Sequence, residues 1–363
     1  MSESERVCFM ASAAQKRIKS ISYAKYGYLF ILPFFLVYGI FQLWPLIKTF
    51  ILALYGNGNK ELGVDVMTGE PILNNVSNED FVGLDNFKAL LFGGKGEFDA
   101  ATVQHEQFMQ AFGNTLILWI GNFIPQIILS LSLAVWFTDA KLKIAGKGFF
   151  KVVMYMPNII TAASVSVLFL SLCATNGPIN QIIEGLGFNK VEFVQGDNAR
   201  PVVMFIQTWM WFGNTMIMLM SGIMGISPSL FEAADIDGAS SMQTFWRITL
   251  PLLSPIMVYT VVTSMIGGLQ MFDIPFLFHD GSIDNDYIRT VAVYILKKYQ
   301  NQNGYQFGYA GAASVILFVF TAALGSITFI MNRDKDEVLK RKQRKMLIKQ
   351  AKAKKSQFGG LGI

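Results

Sequence analysis

Glu232-Ala233-Ala234-Asp235-Ile236-Asp237-Gly238-Ala239, followed by Phe245, Ile248, Leu250 and Pro251, is an acidic island between two apolar runs. The flanks, Pro201–Phe231 and Ile248–Phe272, carry no charge, and each is long enough to cross a bilayer as a helix. The island must therefore lie outside the hydrocarbon. Phe231, Ala234 and Gly238 fall at helical spacing with Glu232 and Asp235 elsewhere on the turn, which predicts a short helix with a compact face, broken at Gly238. Met242, Phe245, Trp246 and Thr249 recur at three- and four-residue intervals. They predict a second short helix whose aromatics lie under the membrane surface or in a partner's groove. Pro251 suits the first turn of the next span.

The surrounding chain is of membrane type. Its 363 residues are 52% hydrophobic, 13% aromatic and only 15% charged, and the mean hydropathy is +0.41, a composition that excludes an ordinary soluble domain. Six uncharged stretches each house a spanning helix: Tyr26–Ile47, Gln107–Thr138, Val152–Ile183, Pro201–Phe231, Ile248–Phe272 and Tyr299–Asn332. No stretch shows the alternation of a closed barrel, so an all-α integral membrane protein is expected. The first apolar run starts late, exceeds a signal-peptide core and lacks a small-residue cleavage pattern, so it is expected to stay attached.

Basic residues predict the orientation. With the N-terminus inside, 21 of the 30 lysines and arginines fall on inside segments, eight on outside loops, and Lys48 at the outer end of the first span. Both termini and the 231–251 loop are then cytoplasmic. The expected organisation is a tail over 1–25, a transmembrane unit over 26–332 with an external segment at 55–106, and a basic tail over 333–363. The excess positive charge of that tail, including Lys340-Arg341-Lys342-Gln343-Arg344-Lys345, suits the anionic inner leaflet, so membrane lipids rather than nucleic acid are its expected contact. Cys8 and Cys173, one in a tail and one in a span, make no disulfide framework.

Glu232, Ala233, Ala234, Gly238, Ile248, Leu250 and Pro251, with the Asp237-Gly238-Ala239 triplet and Phe245, resemble the cytoplasmic coupling loop of binding-protein-dependent ABC importers, in their carbohydrate-transporting branch. Weaker similarity extends over roughly residues 26 to 332. Its elements are Tyr28-Leu29-Phe30-Ile31-Leu32-Pro33 with Trp44-Pro45, the Gly83-Leu84-Asp85-Asn86-Phe87 element, Pro157-Asn158-Ile159, and the small-residue ridge Gly308-Tyr309-Ala310-Gly311-Ala312-Ala313-Ser314. The resemblance implies a six-helix type I ABC importer permease bundle. It also implies a second permease subunit, two ATP-binding cassette ATPase subunits and an extracytoplasmic sugar-binding protein as partners. In one place the pattern departs: where the family often shows Thr-x-Gly-Gly-Pro on the outer side, this chain reads Phe276-Leu277-Phe278-His279-Asp280-Gly281, and only a glycine survives.

In the external segment, Asp85 is placed to cap a helix with Phe87, Leu90 and Leu91 on one face. Lys60–Asp80 has too little apolar content to require packing. No Gly-x-x-x-x-Gly-Lys-Ser/Thr loop occurs, so no cofactor is expected on this chain, and ATP with its Mg belongs to a partner ATPase. The two histidines, His105 and His279, support neither a zinc site nor a catalytic triad, and no enzymatic role is expected.

Substrate contact is expected from polar and aromatic groups within the spans, because a sugar offers hydroxyls to bond and C–H faces to stack. The fourth span clusters Gln207, Trp209, Trp211 and Asn214, and the fifth carries Gln270, Phe272 and Asp273 near its outer end. Asn114, Asn122 and Gln126 are expected to join helices, while Asn158 and Thr161 would either line the cavity or satisfy backbone freed around Pro157. An ion-coupled secondary transporter would need ionisable groups or broken-helix repeats inside the spans, which are uncharged. A membrane scaffold would leave the polar groups of spans four and five with packing roles only.

Overall fold

The computed structural model describes residues 24–56, 58–64, 71–75, 80–94, 100–139, 142, 144–279, 285–300, 304–331 and Met346. Among them are six helical segments long and apolar enough to cross a membrane, between Tyr26–Leu52, Ala100–Thr138, Ala162–Gly185, Gly196–Met224, Ser241–Leu277 and Phe307–Thr328. Cys8, with residues 1–23, and the basic tail from residue 333, Met346 apart, lie outside the described residues.

The first span is α1 (Ala24–Tyr38), which passes through a π-turn at Gly39–Leu43 into α2 (Trp44–Leu52). Its apolar side chains face outward, as a helix in lipid permits, and α2 alone packs on the chain's last helix. The external segment then forms β1 (Gly58–Val64) and β2 (Pro71–Asn75), antiparallel from Lys60↔Asn75 to Val64↔Pro71. Part of Lys60–Asp80 thus pairs through its backbone, which needs no apolar side chains. Next comes α3 (Asp85–Phe92). Its N-cap position is Leu84, not Asp85. Asp85 instead sits in the first turn and meets Lys88 Nζ at 2.8 Å. Asn86 does the anchoring: its Nδ2 donates to the Ala53 and Tyr55 carbonyls at 3.0 and 2.8 Å, and Leu90 is fully buried beside it.

The core is α4 (Ala100–Thr138) packed along α8 (Ala199–Met224). Gln126 Nε2 donates to Thr215 Oγ1 at 2.8 Å, Ser130 Oγ to the Phe212 carbonyl at 2.8 Å and Thr208 Oγ1 to the Asn122 carbonyl at 3.0 Å. Gln126 therefore joins helices as expected. The Asn122 amide turns back to the Leu118 carbonyl of its own helix.

Between α4 and α8 the third span is broken. The Val152–Ile183 stretch does house a span, but not as one helix: α5 (Lys147–Tyr155) runs into a 3₁₀ turn at Met156–Ile159, Ile160 and Thr161 are extended, and α6 (Ala162–Cys173) starts afresh. Pro157 lacks the N–H that a continuing α-helix would use. Thr161 then caps α6 by accepting from Ser164 N at 3.3 Å, and Asn158 Nδ2 donates to the Met210 carbonyl at 3.4 Å. Thr161 thus satisfies backbone at the start of the helix that follows the break, whereas Asn158 ties the break to α8. A short α7 (Pro178–Gly185) follows.

After α8 come α9 (Pro228–Ile236), α10 (Ser241–Thr244), a π-turn at Phe245–Thr249 and α11 (Leu250–Leu269). The chain ends with α12 (Asp273–Leu277), α13 (Val291–Tyr299), β3 (Gly304–Tyr305) and α14 (Phe307–Met331). β3 pairs with β1 at Gly58↔Tyr305, giving a sheet ordered β2-β1-β3 beside the helical membrane core. The ridge at the start of α14 packs as its small residues suggest: a Cβ on Gly311 would lie 2.8 Å from Ala53 N and 3.1 Å from the Thr49 carbonyl.

Candidate functional site

The acidic island forms a helix-bend-helix. α9 opens with Pro228 in its first turn, where the missing N–H costs nothing. It closes at Gly238, whose φ of +72° is readily adopted only by glycine, and Ala239 N bonds the Ala234 carbonyl at 2.9 Å across the bend. Ser240 then caps α10 reciprocally: its Oγ accepts from Gln243 N at 3.3 Å while its own N–H donates to Gln243 Oε1 at 2.8 Å. The predicted second short helix does not stop before Pro251. The π-turn at Phe245–Thr249 carries α10 directly into α11, and Pro251 falls in the first turn of α11.

The loop has two faces. Ala234 is buried, and Phe231 and Phe245 turn inward against the ends of α4 and α8 around a cavity of about 590 Å³. Outward, Ile236, Met242 and Trp246 are 86%, 66% and 58% exposed, and Glu232, Ala233, Asp237, Gly238 and Pro251 are exposed as well. Ala239 is half-buried. An outer apolar ridge flanked by carboxylates on a rigidly capped bend is the kind of short helix that seats in a partner's groove.

The residues read as candidate sugar contacts divide. On α8, Trp211 and Asn214 are exposed, whereas Gln207 is buried and Trp209 packs against Phe169 at 5.8 Å between ring centroids. Gln270, just past α11, is exposed and lines the top of a groove of about 750 Å³ along α14, with Ile266, Ile295, Leu317 and Thr321. Phe272 stacks on Phe276 at 4.9 Å, and Asp273 lies exposed in the first turn of α12. Among the described residues, neither this groove nor the cavity behind the loop gathers Trp211, Asn214, Gln270, Phe272 and Asp273. Trp211 and Asn214 present one surface of α8, and Gln270 borders another.

Asn114 joins helices as expected, within a polar cluster whose other members carry no signal in the sequence. Asn114 Nδ2 donates to the Asp286 and Arg289 carbonyls at 2.6 and 3.1 Å, and its Oδ1 accepts from Arg200 Nη2 at 2.7 Å. Arg200 Nε reaches the Tyr287 carbonyl at 3.0 Å, with the guanidinium 5.1 Å from the Tyr287 ring centre. These bonds fasten the 285–290 loop to α4 and α8. Nearby, Lys298 Nζ donates to Gln107 Oε1 at 2.9 Å, and Tyr294 OH donates to Gln104 Oε1 at 2.9 Å. Burial, and then the Arg289 charge, push the Lys298 ammonium down to about 8. Among the described residues no group of His, Cys, Asp and Glu is placed to hold a metal.

The family described as "Binding-protein-dependent transport system inner membrane component" matches residues 115–334. The chain is similar to the lactose transport system permease protein LacF of Rhizobium radiobacter, 26% identical over 90% of this chain and all of the relative. It is also similar to the multiple sugar-binding transport system permease protein MsmF of Streptococcus mutans, 30% identical over 67% of this chain and 78% of the relative. In fold it matches a chain of a bacterial ABC transporter involved in import of the acidic polysaccharide alginate, with a TM-score of 0.70 at 21% identity over 88% of this chain and 99% of that one. A match of this extent, on a six-span bundle carrying the Glu232–Pro251 loop, shows that the chain belongs to the inner membrane components of binding-protein-dependent transport systems, as a permease subunit with the type I ABC importer fold.

Proposed function

We propose that the chain translocates a sugar or oligosaccharide, handed over by an extracytoplasmic binding protein, as one of two permeases driven by two separate ATP-binding cassette subunits. The observation that carries this reading is the capped bend at Gly238–Ser240 with Ile236, Met242 and Trp246 turned outward. The carbohydrate relatives LacF and MsmF support the substrate class. The structure of the alginate transporter with its oligosaccharide-bound periplasmic protein supports the hand-over.

ATP and Mg are held by the partner ATPases, and this chain supplies the mechanical link. Because the π-turn carries α10 into α11 with no intervening loop, a push on the outer face of α9 and α10 passes along α11 toward Gln270. Movement of α11 against α8, in contact where Gly222 meets Leu253 and Ile256, would switch the bundle between inward- and outward-open states. The loop and both termini lie in the cytoplasm, following the lysine and arginine distribution.

The test is a reconstituted complex in proteoliposomes with its binding protein and a labelled oligosaccharide. Uptake should require ATP, and a cross-linker on Ser240→Cys should capture the ATPase. Uptake driven by an ion gradient without ATP, or no capture of the ATPase from Ser240→Cys, would overturn the reading. Labelling of a cysteine at Ala353 from outside intact cells would overturn the topology.

A further inference from the structure

The break in the third span lies at a depth where lipid does not tolerate it. α5 and α6 have 9 and 12 residues. At 1.5 Å per residue they are about 14 and about 18 Å long, so together they cross a hydrocarbon layer of roughly 30 Å with the interruption near its centre. The packing agrees, because Asn158 bonds the carbonyl of Met210, near the middle of the 26-residue α8. At that depth Ile160 and Thr161 are extended, with ψ of 138° and 142°. Ile159 and Ile160 are 69% and 42% exposed, and Thr161 is exposed as well. The Thr161 carbonyl accepts from Val165 N at 3.1 Å, its hydroxyl caps α6, and Ile160 N reaches the Pro157 carbonyl at 3.3 Å. Among the described residues, no donor meets the carbonyls of Ile159 and Ile160.

Exposed apolar side chains are ordinary on a membrane helix, but exposed carbonyls without donors are not. Each costs several kcal/mol in hydrocarbon, and irregular backbone persists at this depth only where protein buries it or water fills the space beside it. Pro157 is buried by protein and the two isoleucines are not. The adjoining surface of α8 is polar and open. Asn214 lies one turn from Met210 on the same face and is exposed, as is Trp211. Gly213 beside them packs on Met154 and Tyr155 at the end of α5, which brings the break and this surface together.

We infer that Ile159–Thr161 is a wetted wall of the translocation path, and that the Ile159 and Ile160 carbonyls accept hydrogen bonds from sugar hydroxyls beside Asn214. The match is one of acceptor to donor: the wall offers carbonyl oxygens, and a sugar is rich in O–H groups. Because backbone makes the bonds, the contact takes any hydroxyl within reach and suits a polyhydroxylated cargo passing through in successive positions. The identity of the ligand rests on the proposed sugar permease function, whereas the wetting of the wall does not.

The test uses the complete complex with its binding protein in proteoliposomes, with Cys8 and Cys173 replaced by Ala and a single cysteine at Ile160→Cys, or at Ile159→Cys should the first variant fail to fold. The control is Ile124→Cys, 51% exposed on the continuous helix α4. It lies at the same depth, since Asn122 and Gln126 on either side of it pair with Thr208 and Thr215 on either side of Met210. The probe is the water-borne thiol reagent methanethiosulfonate ethylsulfonate, supplied on both faces. Ile160→Cys should react at least about tenfold faster than the control, because the thiolate is the reacting form and an apolar surrounding suppresses it. The adduct places an anion on the wall, so ATP-driven uptake of a labelled oligosaccharide should be lost on modification and return when dithiothreitol reduces the mixed disulfide. A rate equal to that of the control would show the break covered, and full uptake by the modified complex would place it off the path; either result overturns the inference. Absence of ATP-driven uptake before modification would overturn the sugar permease function and with it the ligand, while the two thiol rates still decide whether the wall is wetted.

Discussion

Gly213 of α8 lies directly on the backbone of Met154: a Cβ added there would collide with the Met154 carbonyl oxygen and sit 2.9 Å from Tyr155 Cα. The contact holds the interrupted third span against α8, at Met154 and Tyr155 just before the break at Pro157. Its neighbours are backbone atoms of α5, so no side chain can swing aside.

Gly213→Ala should therefore destabilise the protein by about 1–3 kcal/mol, the usual cost of overpacking. A lowered thermal midpoint in detergent would register it. Gly113→Ala, whose Cβ would meet nothing within 4 Å, is the matched control and should leave the midpoint unchanged or slightly raised. Equal midpoints for both variants would show that the close approach carries no energy.

Lys298 gives the protein a pH-dependent component of stability. Burial and the Arg289 charge lower its ammonium from the ordinary 10.5 to about 8, so the unfolded chain holds that proton more tightly than the folded one. The folded state is penalised at pH values below about 8, and the penalty falls away as pH rises from there toward 10.5. Lys298→Met removes the titration. The thermal midpoint of the wild type should rise relative to the variant between pH 8 and pH 10, and parallel curves would show that Lys298 is not held in this way.

Polar and aromatic groups within the spans are the expected sugar contacts, and Trp211 and Asn214 put two of them on the exposed surface of α8. Asn214→Ala should reduce uptake by roughly fivefold, the equivalent of one net hydrogen bond of about 1 kcal/mol, and Gln270→Ala by a similar factor. Both side chains are exposed, so the permease should still assemble with its partners in pull-down. Gln207→Ala, at a buried position, should show the reverse pattern of lost stability before lost transport. Full uptake by the Asn214, Gln270 double variant would assign both residues to the surface between subunits or lipid.

Local signals were legible in the chain and long-range pairing was not. The acidic island, the bend at Gly238 and the small ridge around Gly311 depend on residues within a turn or two of each other, and each formed as the spacing implied. The break at Pro157 was harder, because a proline in an apolar run fits a kink, a first turn or a full interruption, and the bond from Asn158 to Met210 lies 52 residues away. Fusion of α10 with α11 was hidden by Pro251, which reads as a helix start until a π-turn is seen ahead of it. Pairing of β3 with β1, and of Asn114 with Arg200 and the 285–290 loop, joins segments far apart in sequence with no periodic signature. Among the candidate sugar contacts, the sequence could mark polar groups inside spans but not which side of α8 they occupy. Gln207 turning inward while Asn214 turns outward follows only from the packing of α4 against α8.

Gly238 separates backbone strain from docking. Its φ is +72°, and a Cβ there would meet nothing within 4 Å, so the isolated permease has room for any side chain but disfavours the backbone of all but glycine. Gly238→Ala should then cost about 1–2 kcal/mol of local bend stability, the penalty for an L-residue in the left-handed region. Insertion should remain intact and uptake should fall modestly. Gly238→Arg incurs the same strain and also places a long side chain on the exposed face proposed to meet the ATPase. It should abolish ATP-driven uptake and lower capture of the ATPase by Ser240→Cys, while the permease still inserts. Glu232→Ala should weaken coupling less, since an exposed ion pair contributes at most about 1 kcal/mol. Uptake and ATPase capture are the paired readouts. If Gly238→Arg transports as well as Gly238→Ala, the outer face of this bend is free in the working complex and the ATPase must dock elsewhere.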